Sequence, residues 1–280
     1  MRLFFITLIV ALMSAVSTAN AASAWLSGLG YKARLIEGSS KADGTFQAAF
    51  EIVLEDGWST YWRVPGEYGI PPLLEFKDSS NVKETVIHWP APNVFTSGSG
   101  LTIGYKKHVV LPVTIVPESR SQDVELNLSA FFGVCSEICV PADANLSISI
   151  DPHNTASVYQ PIIDEALVHV PSAPEANGLD VKEASLASSE NSDKEEHVYV
   201  RLQLPDNVDN ISILTEGPQD WFFEPQAIQL AESEAKTKTY MAIIPIHRHV
   251  RTSLSGEEQL RVTVITDDTA IEKTIPLGDL

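Results

Sequence analysis

Residues 46–57 read FQAAFEIVLEDG, and this stretch decides the fold class of the chain. Its apolar side chains fall at every second position: Phe46, Ala48, Phe50, Ile52 and Leu54. Alternation with a period of two predicts a half-buried β-strand. The Asp56-Gly57 pair that follows is typical of a turn. We therefore expect a sheet that buries one face of this strand.

Similar strand signals continue on both sides of this stretch, between residues 31 and 150. Further candidate strands lie at residues 59–64, 73–77, 82–89, 108–116, 124–132 and 144–150. Pro and Gly separate them, and this part of the sequence has no amphipathic helical pattern. About eight short strands at this spacing predict a β-sandwich of the immunoglobulin-like type.

The second half of the chain begins with a change of composition. Residues 155–169 have some helical character, and Pro161 lies in the first turn of that helix or interrupts it. Residues 171–196 are rich in Ser, Ala, Pro and acidic residues, which favours a linker. Strand patterns then resume at 197–204, 211–214, 237–246, 260–266 and 270–276. We expect an all-β protein with two β-sandwich domains, at residues 22–152 and 197–280, joined by a connecting segment at 153–196.

The N-terminus predicts export. Arg2 precedes an apolar run at residues 3–16, and Ala19-Asn20-Ala21 is the small-x-small pattern that signal peptidase accepts. The alternative is a membrane anchor, which needs about 20 apolar residues. We expect a cleaved signal peptide at residues 1–21 and a periplasmic mature protein. No later stretch is apolar enough for membrane insertion.

Charge and motifs exclude several classes of function. The formal net charge is −18, and no basic run offsets it, so the surface repels nucleic acid. The sequence contains no phosphate-binding loop, no paired-carboxylate motif and no nucleophile–His–Asp constellation that would support a hydrolase.

The only two cysteines, Cys135 and Cys139, allow three interpretations: a structural bridge, a redox pair or a metal site. Closing a five-residue loop stabilises a protein by about 2 kcal/mol, against about 4.7 kcal/mol for a hundred-residue loop. A structural bridge of this span is therefore weak. Thiol–disulfide exchange needs a close pair, because the second thiol resolves the mixed disulfide that the first forms. On spacing alone, the three interpretations stay open.

A metal site needs more ligands than the pair supplies. Cu(I) takes two thiolates together with Met or His, but Met241 lies in the other predicted domain. His88, His108 and His153 do not stand at ligand spacing from the cysteines. A zinc site needs three or four ligands. We therefore expect no metal site and no cofactor, and we interpret these histidines as ordinary strand or loop residues.

The residues around the cysteines carry a family resemblance. Residues 131–141, FFGVCSEICVP, resemble the cysteine region of the N-terminal periplasmic domain of DsbD-type disulfide reductases, and more closely its ScsB-like, copper-sensitivity branch. Residues 57–72 (GWSTYWRVPGEYGIPP), 89–92 (WPAP), 103–106 (IGYK) and 111–113 (LPV) resemble the same family in the same order. The resemblance covers residues 25–150 and, more weakly, the rest of the chain.

This resemblance implies an immunoglobulin-like domain with the cysteine pair on neighbouring strands. It implies that a membrane-embedded thiol reductase or a thioredoxin-like protein supplies electrons. Periplasmic disulfide-bonded proteins, including disulfide isomerases and cytochrome c maturation proteins, would receive them. Cys135 and Cys139 would be catalytic, with Cys139 bonding to partners.

The resemblance also implies a cap loop over the pair, matching residues 95–100. Phe95 and Tyr105 would shield the sulfurs, although both are alternatively core residues. Glu137 lies between the cysteines, where its charge tends to raise the thiol pKa and to delay activation until a partner docks. The two cysteines are closer in sequence than in the best-known DsbD domains.

Two other functions remain as alternatives: a binding or assembly module braced by a structural disulfide, and a copper-handling protein. We expect the reductant to come from another polypeptide. Trp58, Tyr61, Trp62 and Trp89 are interpreted as core residues. Arg63 is expected to pair with Glu67 and to fix the Pro65-Gly66 turn.

Overall fold

The computed structural model describes residues 21–66, 69–97, 100–174, 178–187, 196–205, 208, 210–218, 221–223, 227–234, 237–248, 256–267 and 269–279. Its elements are β1 (Leu26–Gly28), β2 (Tyr31–Ser40), β3 (Phe46–Leu54), β4 (Ser59–Tyr61), β5 (Leu73–Glu75), β6 (Val82–Ile87), β7 (Asn93–Ser97), β8 (Gly100–Lys106), β9 (His108–Pro117), β10 (Val124–Cys135), β11 (Cys139–Ile150), α1 (Gln160–Val168), β12 (Asp180–Ala187), β13 (Glu196–Pro205), β14 (Ile211–Glu216), β15 (Trp221–Phe223), β16 (Ala227–Glu234), β17 (Thr237–Arg248), β18 (Gln259–Thr266) and β19 (Ala270–Asp279). Residues 1–20, which hold nearly all of the expected signal peptide, lie outside the described residues. In the described part of the chain, no helix is long and apolar enough to cross a membrane.

Two antiparallel sheets form the first half of the protein. The first sheet has the strand order β1-β2-β3-β9-β6, and the second has the order β11-β10-β4-β8-β7, with β5 also paired to β10. Their inner faces share one core. The rings of Phe50, from the first sheet, and Phe132, from the second, meet edge to face at 5.8 Å. The expected all-β sandwich class is confirmed.

Strand β3 is buried on both faces. Alternation predicted a solvated outer face, but Gln47, Ala49 and Glu51 are buried as well. Helix α1 covers this face, where its Ile163 packs with Ala49. The Gln160 amide donates to Gln47 Oε1 at 2.7 Å. Gln47 of β3 therefore faces a helix more than a hundred residues further along the chain.

Pro161 lies in the first turn of α1, so it begins the helix and does not interrupt it. A proline is tolerated there because its missing N–H would have no partner inside the helix.

The third sheet contains the remaining strands, in the order β14-β18-β19-β12-β13-β17-β15, with β16 paired to β17. Its residues enclose a second core. Strand β12 pairs antiparallel with β13 and parallel with β19, and so joins the two parts of the sheet.

The segment expected to connect the domains, residues 153–196, is more structured than its composition indicated. It contains α1, which packs on the first sheet, and β12, which lies inside the third. Val181, Ala184 and Leu186 of β12 are buried. Small and acidic residues predicted a linker, but strands on both sides of β12 satisfy its backbone groups. Residues 188–195 lie outside the described residues.

Candidate functional site

Cys135 and Cys139 form a disulfide at the closed end of the β10–β11 hairpin. They are direct cross-strand partners in the register, with Cα atoms 4.1 Å apart. The loop between them is Ser136-Glu137-Ile138, in which the Ser136 backbone N–H donates to the Ile138 carbonyl at 3.0 Å. The hairpin therefore brings the two sulfurs together without help from distant parts of the chain.

The two cysteines differ sharply in exposure. Cys135 is 2% exposed, whereas Cys139 is an exposed residue. Glu137 is also exposed, and Ile138 presents 62% of its surface to solvent. Cys139 is therefore the more accessible residue of the pair.

A tyrosine hydroxyl contacts both sulfurs. Tyr61 Oη lies 2.8 Å from Cys135 Sγ and 3.0 Å from Cys139 Sγ. Since a disulfide carries no hydrogen, the Tyr61 O–H is the donor in this state. Burial raises the pKa of Tyr61 above its ordinary value, so its proton is retained across the physiological pH range.

Strand register carries the Tyr61 ring to this position. Cys135 pairs with Ser59 of β4 and Val134 with Thr60, so the next pair in register is Gly133 with Tyr61. The absence of a side chain at Gly133 makes room for the ring. A Cβ atom there would lie 2.7 Å from Tyr61 Cε2, which is closer than real Cβ atoms approach another heavy atom.

Gly69, which follows β4, lies against the other edge of the Tyr61 ring. A Cβ atom on Gly69 would lie 2.9 Å from Tyr61 Cε1 and 2.2 Å from Pro65 Cβ. The Ile103 backbone N–H donates to the Pro65 carbonyl at 3.2 Å, which ties this segment to β8. Tyr61 is thus enclosed, with its hydroxyl directed at the disulfide.

Tyr105, one of the two expected cap residues, belongs to the core. Tyr105 pairs with Thr60 of β4, and the preceding residue, Ser59, pairs with Cys135. Because successive residues of a strand point to opposite faces, Tyr105 points into the sandwich and Cys135 points away from it. The Tyr105 hydroxyl donates to the Pro90 carbonyl at 2.8 Å, and burial raises its pKa well above its ordinary value. The structure therefore places Tyr105 where the alternative interpretation put it, and not over the sulfurs.

Phe95, the other expected cap residue, lies on the face of the second sheet that carries the cysteines. Phe95 pairs with Thr102 of β8, and Thr102 shares one face of that strand with Lys106. Lys106 pairs with Ser59, which in turn pairs with Cys135. The Lys106 ammonium lies 3.9 Å from the centre of the Phe95 ring. Residues 98–99 of the expected cap loop lie outside the described residues, and the capping role of Phe95 stays a prediction.

The aromatic residues expected in the core divide into two groups. Trp62 is fully buried, and Trp58 and Trp89 pack against the same core. Tyr61 was interpreted in the same way, but it lies at the disulfide. Sequence reasoning missed this role, although Tyr61 stands inside the family-like stretch at residues 57–72.

Arg63 has partners that the sequence did not suggest. Its guanidinium donates to both carboxylate oxygens of Glu216, at 3.1 and 2.6 Å, and also to Glu272. Glu67, the expected partner, lies outside the described residues.

The histidines make ordinary structural contacts. His88 Nε2 lies 2.8 Å from Thr114 Oγ1, and burial lowers its pKa. His108 Nε2 lies 3.0 Å from Glu51 Oε1. Within the described ranges, no three His, Cys, Asp or Glu residues are grouped in a way that would hold a metal ion.

Comparison with known proteins agrees with this geometry. Residues 32–149, which include the disulfide and Tyr61, match the family model for the N-terminal domain of the thiol:disulfide interchange protein DsbD. These residues belong to that family. The DsbD N-terminal domain thus spans most of the first two sheets, and its hairpin carries the cysteine pair of a thiol–disulfide interchange module.

The fold similarity extends beyond the DsbD N-terminal domain. The chain superposes on the crystal structure of the N-terminal periplasmic domain of ScsB from Proteus mirabilis with a TM-score of 0.70 and 21% identity. The match covers 93% of this chain and 99% of that chain, so the third sheet has a counterpart there. No curated protein sequence matches the chain.

Proposed function

We propose that the protein is a periplasmic thiol–disulfide interchange protein that relays reducing equivalents through Cys135 and Cys139. The observation that carries the proposal is the asymmetry of the pair. Cys139 is exposed, whereas Cys135 is buried against the hydroxyl of Tyr61. One sulfur is available for attack, and the other has a hydrogen-bond donor ready for the charge that attack releases.

The position of the disulfide argues against a purely structural bridge. Strands β10 and β11 are already paired over twelve consecutive positions, from Val124–Ile150 to Cys135–Cys139. A covalent link at the end of such a hairpin closes a loop whose ends are already held together by the backbone pairing of β10 and β11. Its contribution to stability is at most about 2 kcal/mol in the loop-entropy model.

Exchange proceeds through a mixed disulfide. A thiolate of a reduced partner attacks Cys139 Sγ, which forms a partner–Cys139 disulfide and releases Cys135 as a thiolate. The second thiolate of the partner attacks the partner's own sulfur and releases Cys139. The partner is oxidised by two electrons, and Cys135 and Cys139 are reduced to a dithiol after uptake of two protons. The same steps in reverse reduce a substrate disulfide, with Cys139 attacking and Cys135 resolving.

Tyr61 assists the step that releases Cys135. A hydrogen bond to a developing thiolate stabilises the charged form and lowers the thiol pKa. At 2.8 Å from Cys135 Sγ, the hydroxyl is in place before the S–S bond breaks. Thiols with lower pKa values leave faster.

The proposed partners follow from the family. A membrane-embedded thiol reductase or a thioredoxin-like protein supplies the electrons, and disulfide-bonded periplasmic proteins receive them. Phe95 and Glu137 are proposed to contact the docked partner, because both lie on the cysteine-bearing side of the domain and Glu137 is exposed. Residues 22–152 carry the exchange chemistry in this proposal, and residues 1–21 direct export.

The first experiment measures the reduction potential of the Cys135–Cys139 pair in the mature protein. The protein is equilibrated in graded thiol buffers, and free thiols are counted after alkylation. A potential above roughly −250 mV is the value expected of an exchangeable disulfide. A potential below about −300 mV is typical of a structural bridge and would favour the binding-module alternative.

A further inference from the structure

A partly buried ion cluster joins the first two sheets to the third. We define the interdomain ion cluster as Arg63, Glu216, Glu272 and Arg261. Arg63 Nη2 lies 2.6 Å from Glu216 Oε1 and also contacts Glu272, and the side chains of Arg63 and Glu216 are only 15% and 17% exposed. Arg261 lies 3.9 Å from Glu216 and 3.7 Å from Glu272. Two arginines and two carboxylates thus balance each other in charge.

The Arg63 guanidinium stays protonated in this position. Burial alone would lower its pKa, but the hydrogen bonds and charges of Glu216 and Glu272 raise it overall. The guanidinium also lies 4.2 Å from the ring centre of Trp62, a cation–π distance. Removing one partner from such a cluster leaves an uncompensated buried charge, which is strongly unfavourable.

Apolar contacts fix the third sheet against the sandwich at the same strands. Leu214, from β14, is part of the core of the first two sheets, and Ile265, from β18, packs against that core. Glu216 follows Leu214 on β14, and Glu272 lies on β19, which is separated from β14 by β18. The contact between the two halves therefore combines apolar packing with ion pairs, and Arg63 supplies the positive charge from the first half.

Arg63 is two residues from Tyr61. Strand β4 ends at Tyr61, and the Trp62 backbone N–H continues its pairing with β8 by donating to the Ile103 carbonyl at 3.0 Å. Glu216 and Glu272 of the third sheet thus bind the chain at Arg63, two residues after Tyr61, whose hydroxyl contacts the sulfurs. We propose that Arg63 is a positioning residue, through which the third sheet holds the Tyr61 hydroxyl on the disulfide. This rests on the exchange chemistry proposed above and gives the cysteine-free half of the chain a role in it.

Reduction of the full-length mature protein by dithiothreitol tests the proposal. The reagent's first thiolate attacks Cys139 and expels Cys135, and its second closes the oxidised ring of the reagent. Because Cys139 is exposed, departure of Cys135 limits the rate more than access does. We expect Arg63→Met to slow this reduction on the order of tenfold, as Tyr61→Phe does. In the Tyr61→Phe background, Arg63→Met should have no further effect, because the hydroxyl that it positions is already missing.

Two further variants make the result specific. Glu272→Gln weakens the cluster from the third sheet without changing the first domain. It is also expected to slow reduction, and it provides the test if Arg63→Met does not fold. Arg201→Met removes a different ion pair, with Glu183 at 2.8 Å, and should leave the rate unchanged. Rates of Arg63→Met and Glu272→Gln equal to wild type, or effects of Arg63→Met and Tyr61→Phe that simply multiply, would overturn the proposal.

The assay separates this inference from the proposed function. It needs only a small dithiol and the protein's own disulfide, so it gives a rate whether or not a protein partner is used. Failure of the relay would appear in the reduction potential of the wild-type pair, whereas failure of the positioning role would appear only in the comparison of variants.

Discussion

The hydroxyl oxygen of Tyr61 lies 2.8 Å from Cys135 Sγ, although the two residues are 74 positions apart in the sequence. The same hydroxyl lies 3.0 Å from Cys139 Sγ. A single buried donor therefore contacts a pair in which one cysteine is buried and the other is exposed. This asymmetry is the basis of the different roles proposed for the two cysteines.

Tyr61→Phe is expected to slow thiol–disulfide exchange while the ring still covers the sulfurs. A hydrogen bond to a charged group is worth about 1.5–3 kcal/mol, which corresponds to a rate loss of roughly ten- to a hundredfold. The measurement is the second-order rate of exchange with a thioredoxin-like protein. Tyr105→Phe is the matched control, because it also removes a buried hydroxyl bond, to Pro90. Equal rates in wild type and Tyr61→Phe would remove the tyrosine from the mechanism.

The two cysteine variants are expected to behave differently. Cys135→Ser leaves the exposed Cys139 without its resolving thiol, so it should accumulate a mixed disulfide with a partner. Cys139→Ser should form none, since Cys135 is buried. Non-reducing electrophoresis with mass spectrometry of the trapped species distinguishes them. Trapping through Cys135 alone would reverse the assignment.

Both cysteine variants should remain folded. Loss of the five-residue loop closure costs about 2 kcal/mol at most, and the β10–β11 ladder remains. Urea unfolding of each variant against the oxidised wild type measures this cost. A loss well above that figure would indicate that the disulfide is structural.

Gly133→Ala is expected to displace Tyr61. The new Cβ atom would lie 2.7 Å from Tyr61 Cε2 and 2.8 Å from Ile70 Cβ, so the ring or the strand must shift. Crowding of this kind costs about 1–3 kcal/mol, and the exchange rate should fall with it. Gly278→Ala is the control, because its Cβ atom would meet only the Ala184 carbonyl oxygen at an ordinary 3.7 Å. An unchanged exchange rate in Gly133→Ala would show that the ring position is not required.

Glu51 is expected to make stability depend on pH in the acid range. Burial tends to raise its pKa, but hydrogen bonds from His108 and Arg34 lower it overall. A carboxyl with a lower pKa in the folded state stabilises the protein above its unfolded-state pKa, and this contribution disappears as pH falls through the folded-state value. Glu51→Gln should therefore destabilise the protein by about 2 kcal/mol near neutral pH.

The difference between wild type and Glu51→Gln should shrink as the pH falls below about 4. Thermal unfolding over a pH series measures it. Glu75→Gln removes an exposed pair with Lys77, and such surface pairs contribute about 0–1 kcal/mol, so it serves as the control. A difference between wild type and Glu51→Gln that stays constant from neutral to acid pH would contradict the assignment.

Several features were predictable because they depend on neighbours in the sequence. Alternation from Phe46 to Leu54 predicted strand β3. The motif at residues 131–141 pointed to the DsbD N-terminal family. The sequence left two positions open for Pro161, and the first turn of α1, which suits the fixed backbone angle of proline, is the one found.

Other features escaped prediction because they depend on contacts between distant strands. Alternation tells which side chains of a strand share a face, but not which strand or helix will cover that face. The burial of Gln47 thus required α1, and the assignment of residues 180–187 to a strand required β13 and β19 on either side.

The sequence by itself determined the all-β class and the sandwich, and its resemblance to the DsbD N-terminal family implied a cysteine pair on neighbouring strands. Only the tertiary structure decided that Cys139 is the exposed cysteine, that Tyr61 and not Tyr105 lies at the disulfide, and that Arg63 is bound by Glu216 across 153 positions. The physical reason is one of range. Strand propensity and hairpin closure act over a few residues, whereas exposure and hydrogen-bond partners are set by strand order and register, which the whole folded chain must satisfy together.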